Sequence, residues 1–140
     1  MLKIMSPVEK TIKLASDEAQ EAFVVVRQAT QGDVDSIEDL RSSGTEYSYS
    51  DAEWGQTRVK PSKGTAEIRR RQVYLTLCES NIQDENGNEL FKTTMVNGHK
   101  RMADVVSFER AWALLDPALA AEIYQAVLSV NPQWKLSLGE

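Results

Sequence analysis

With 140 residues, 41% of them hydrophobic and 26% charged, the chain has the size and balance of one globular domain that buries roughly two thirds of its unfolded surface. Its net charge of -5 argues against nucleic acid as a partner, because phosphate recognition draws on an excess of lysine and arginine. No run approaches the ~18 apolar residues of a membrane span, MLKIMSPVEK has no apolar signal core, and the single cysteine, Cys78, cannot form an internal disulfide, so a cytoplasmic location is expected.

In chain order, Lys10 to Leu14 alternates polar and apolar, and Ala22 to Arg27, AFVVVR, is a β-branched run. Both read as strands, and the polar residues between them suit a turn, so an antiparallel β ribbon is the economical arrangement. Thr30 to Ser43 carries Val34, Ile37 and Leu40 at helical spacing, with Thr30 or Asp33 as its cap and Gly44 as its stop. Residues 45–64 lack periodicity and read as a long loop that displays Tyr47, Tyr49 and Trp54. Trp54 either anchors a partner or tucks back onto the domain.

A helix is expected from Thr65 to Ile82, with Ile68, Leu75, Cys78 and Ile82 on one stripe. Residues 73–78, VYLTLC, are apolar nearly all round and also suit a buried strand; the helix formers AEIRRRQ ahead of them favour helix. On the helix Cys78 lies on a buried face and is expected to be a small core residue and not a nucleophile. Asn86-Gly87 and Asn97-Gly98 mark two tight turns, with Leu90 to Val96 extended between them. A calcium loop with Gly87 at its sixth position would need an acid where Ile82 stands, so the motif is excluded. His99, beside Lys100 and Arg101, reads as a surface residue.

The most informative stretch is 107–134. Phe108, Ala111, Trp112 and Leu115 share one face of a helix capped by Ser107. A second helix starts at Asp116-Pro117, with Asp116 as its cap and Pro117 where a missing N–H costs nothing. Its apolar stripe is Leu119, Ile123, Ala126, Val127 and Val130, and Asn131-Pro132 stops it. The pair should form a corner around Phe108, Trp112, Leu119 and Ile123, with Trp134 folded back against it. The expected fold is α+β: a mainly helical single domain with an N-terminal antiparallel β ribbon and a C-terminal helix pair.

Charge is unevenly spread. Residues 16–39 hold seven acids and one base, and residues 57–71 hold six bases and one acid. These are either two solvated faces or complementary patches that join one subunit to the next. For chemistry the inventory is short. One histidine and one cysteine do not make a transition-metal site, no glycine-rich phosphate loop is present, and carboxylates such as Glu46, Asp51 and Glu53 form no motif. No catalytic residue, cofactor site or metal site is expected.

The order of a β-rich start, EIRRRQVYLTLCESNIQDENGNELF, F-x-x-A-W-x-x-L, a Pro-initiated helix and N-P-x-W resembles the tail assembly chaperones of long-tailed bacteriophages. Phe108, Ala111, Trp112, Leu115, Pro117, Asn131, Pro132 and Trp134 carry the C-terminal part of that resemblance, which runs over roughly 23–134. It implies a non-enzymatic protein that binds the tape measure protein, with the tail tube protein as a further partner. It also implies self-association, a place in the host cytoplasm and absence from the mature virion. Tyr47, Tyr49, Trp54, Tyr124 and Trp134 are the expected partner contacts, lying in loops or off the main stripes. The alternatives are a structural tail or head-tail completion subunit, and a small acidic enzyme or regulator unrelated to phage.

Overall fold

The AFVVVR run forms the middle strand of the principal sheet. In the computed structural model, which describes residues 2–4, 6–15, 21–43, 45–47, 59–61 and 64–137, β1 (Glu9–Lys13) and β2 (Phe23–Arg27) pair antiparallel as the expected ribbon. A third strand, β5 (Leu77–Ser80), pairs antiparallel with the other edge of β2. Val25 pairs with Glu79 and Val26 with Leu77, which makes Cys78 the extra residue of a bulge.

This third strand corrects the helix expected from Thr65 to Ile82. The helix, α2 (Thr65–Thr76), stops at Thr76, so 73–76 are helical and 77–78 are strand. Thr76 is fully buried and its hydroxyl donates back to the Gln72 carbonyl at 2.8 Å, while Leu77 turns to an extended conformation. Pairing with β2 then satisfies backbone groups that would otherwise have continued the helical ladder. Non-local pairing overrides local propensity at this point.

Helix α1 (Gln31–Ser43) begins with a reciprocal cap: the Asp33 amide donates to Thr30 Oγ1 at 3.3 Å, and the Thr30 amide donates to Asp33 Oδ2 at 2.9 Å. Its expected stop, Gly44, lies outside the described residues. The loop expected over 45–64 is corrected at both ends, where β3 (Thr45–Tyr47) and β4 (Val59–Pro61) pair antiparallel. Pro61 at the strand end removes no hydrogen bond from a sheet interior.

Around Asn86-Gly87, Asp84 Oδ1 accepts from the amides of Asn86 and Asn88, and Gly87 has φ +81°. Leu90 and Phe91 bend instead of extending as expected, and Phe91 is buried. Strands β6 (Thr93–Val96) and β7 (His99–Met102) form a hairpin whose turn holds both Asn97 (φ 51°) and Gly98 (φ 81°) at positive φ. That geometry belongs to the primed turns that match strand twist. The hairpin lies against the sheet: Lys100 Nζ is 3.1 Å from Glu79, Arg101 Nη1 is 3.3 Å from Cys78 Sγ, and half-exposed His99 has Nδ1 3.2 Å from Glu9.

The C-terminal helices are α3 (Val105–Ala113), α4 (Pro117–Val130) and the short α5 (Gln133–Ser137). Helix α3 starts earlier than its expected Ser107 cap, because the Asp104 carboxylate accepts from the Ser107 amide and hydroxyl, both at 2.8 Å. Asp116 precedes Pro117 as expected, yet its side chain makes no cap hydrogen bond. Phe108 and Ile123 are buried in the corner, with Trp112 and Leu119 packed against them at its margin. The core joins Val24 and Val26 of β2 to Ile37, Val73, Phe108, Ile123 and Val127. No helix among the described residues is long and apolar enough to cross a membrane.

Candidate functional site

Helix α4 has two unlike faces. Ile123, Val127 and Val130 turn inward and are buried. On the other side, Pro117, Ala120, Ala121, Tyr124, Gln125 and Leu128 recur at helical spacing and line an open groove of about 720 Å³. Thr65, Ala66, Arg69 and Arg70 of α2 form its facing wall, and Trp112 of α3 closes one part.

Three alanines help to keep the groove open. Ala66 and Ala121 are exposed and Ala120 is half-buried, so among the described residues no side chain fills the space between the two helices above buried Tyr124 and Leu128. The Tyr124 hydroxyl donates to Gln72 Oε1 at 2.7 Å beneath this floor. The Arg69 guanidinium stands 5.3 Å from the centre of the Tyr124 ring, a cation–π distance. Arg70 Nε is 4.0 Å from Glu109, a loose and half-exposed contact. Both charged residues of the lining are therefore cations, in a chain whose net charge is -5.

The five expected contact residues divide. Tyr49 and Trp54 lie outside the described residues, and Tyr47 is described only as the end of β3. Tyr124 does line the groove, but as a buried floor residue and not an exposed anchor. Trp134 is corrected: at 2% exposure it belongs to the core, carried there by α5 after the Asn131-Pro132 turn. Trp112, expected in the core, is half-buried; it stacks on Phe108 at 5.9 Å between ring centres and lines the groove. Sequence reasoning missed Ala66, Ala120 and Ala121, and took Arg69 and Arg70 only as part of the basic run of 57–71. Ala120 and Ala121 leave a gap in the bulk of α4 opposite Ile123 and Val127, and that gap was the available signal.

Two smaller hollows of about 390 and 260 Å³ share Ile82, Gln83, Asp116 and Leu119. Asp84 and Glu85 border the smaller one, where Asp84 is engaged by the turn amides. Cys78 is fully buried, and that burial pushes its thiol up to about 11 against the opposing pull of Arg101. Such a thiol stays protonated at neutral pH and is a poor nucleophile. Among the described residues, no three His, Cys, Asp or Glu side chains are grouped to hold a metal ion. No family model matches the chain, and neither a curated protein nor a solved structure does.

Proposed function

We propose that this protein is a non-enzymatic tail assembly chaperone of a long-tailed phage, which holds a helical segment of the tape measure protein while the tail tube assembles. The observation that carries the reading is the open groove along α4, with an apolar floor of Tyr124 and Leu128 and small alanine walls. Such a groove suits recognition of a helix by its apolar face. The motif order that ends in N-P-x-W supports the same reading from the sequence side, and on this reading the protein acts in the host cytoplasm and is absent from the mature particle.

The test is a pull-down with the tagged full chain from phage-producing cells, with co-purifying chains and mature particles both analysed by mass spectrometry. Recovery of the tape measure protein, with this chain absent from particles, is the expected result. Retention of this chain in purified particles would instead make it a structural tail or head-tail completion subunit.

A further inference from the structure

We infer that the groove is charge-selective and that its occupant is an acidic amphipathic helix of about three turns. The inference rests on the proposed function only for the identity of the protein that carries this helix. The lining of α4 runs from Pro117 to Leu128, which at 1.5 Å per residue is roughly 16 Å, the length of a three-turn helix. Ala120 and Ala121 allow a second helix to approach at the short end of the usual interaxial range, about 8 Å. An apolar stripe on the incoming helix then meets Tyr124 and Leu128.

The charge follows from the rim. Arg69 and Arg70 occupy successive positions on the α2 wall; among the described residues no carboxylate lines the groove itself, and Glu109, outside the lining, stands 4.0 Å from Arg70 Nε in a loose, half-exposed contact. Carboxylates flanking the apolar stripe of the occupant meet both cations, whereas lysines at those positions meet like charge. A second copy of this chain is a poorer fit for the same site. Its acidic helix α1 exposes Asp35, Glu38 and Asp39, but Ile37 on that helix is buried in the core and leaves no apolar stripe to lay in the groove.

The experiment uses the whole chain and two labelled helical peptides of about four turns, each with the same leucine stripe, flanked in one by glutamates and in the other by lysines. Fluorescence anisotropy is expected to give at least about tenfold tighter binding of the glutamate peptide at low salt, with the advantage shrinking as salt rises. Arg69→Glu with Arg70→Glu reverses the preference, and Ala121→Trp, an exposed position, fills the groove and removes binding of both peptides. Circular dichroism establishes that each variant is folded; should the double reversal fail to fold, Arg70→Gln beside Ala121→Trp decides.

Equal binding of the two peptides, or binding undisturbed by Ala121→Trp, overturns the inference. So does a dimer, seen by sedimentation, that the arginine reversals dissociate, since the occupant is then a second copy. Undiminished recovery of the tape measure protein by the double reversal sinks the charge-selective groove and leaves the chaperone reading intact. Peptide binding as expected, without any tail protein in the pull-down, does the opposite.

Discussion

Arg27 is a buried cation whose guanidinium ties three elements together. Nη1 lies 2.6 Å from Asp33 of α1 and donates to the Gln28 carbonyl at 3.0 Å, and Nη2 donates to the Leu75 carbonyl of α2 at 2.6 Å. Burial alone would raise the Asp33 carboxyl, but the hydrogen bond and charge of Arg27, with the Thr30 amide, hold it below the ordinary carboxylate value. A carboxyl depressed in the folded state contributes stability that is complete above its unfolded value, near pH 4, and is lost as pH falls through the folded value. Asp33→Asn leaves Arg27 buried without its counter-charge and should cost about 3–5 kcal/mol at neutral pH. Urea titrations across pH check this: the gap between the two proteins is widest at neutral pH and narrows in acid. At Cys78 the expectation is chemical, namely that a thiol reagent at neutral pH leaves the native protein unmodified and reacts once it is denatured.

Among the elements, the β6–β7 hairpin isolates a single conformational requirement. Gly98 has φ 81° and a Cβ built on it would meet no atom within 4 Å, so Gly98→Ala carries only the cost of a left-handed backbone, about 1–2 kcal/mol. A lowered urea midpoint of that size, with an unchanged far-ultraviolet spectrum, is the expected result. That turn was legible in the sequence because its cause is local, and the same holds for the Thr30/Asp33 cap, Pro117 at the head of α4 and the stop at Asn131-Pro132. The end of α2 was not legible. Its residues favour helix through Cys78, and only the distant β2 strand, by pairing with Leu77 to Ser80, makes extension more favourable. The groove was hidden for the same reason: Arg69 and Ala121 lie on elements far apart in sequence, and neither alone shows that it faces the other.

Across the whole molecule, the core of α3 and α4 and the exposed rim of the groove use different residues, so stability and the proposed binding should be separable at Ala121. Phe108 is 2% exposed, stacked between Phe91 and Trp112 at 5.7 and 5.9 Å and met edge-on by Tyr74 at 5.5 Å. Phe108→Ala therefore opens a cavity among Tyr74, Phe91 and Trp112 and should cost about 3–5 kcal/mol, a large part of the stability of a domain this size. Trp134→Ala belongs to the same class, because its ring is equally buried. Ala121→Trp adds its bulk to an open surface and should stay within about 0.5 kcal/mol of the parent. Measured together, the three variants are expected to fall into two groups: Phe108→Ala and Trp134→Ala lower the urea midpoint, whereas Ala121→Trp leaves it unchanged and removes binding of the glutamate-flanked peptide. A Trp134→Ala protein of undiminished stability that fails to bind the peptide would break this division, and would restore Trp134 to the contact role expected from its place off the main apolar stripes.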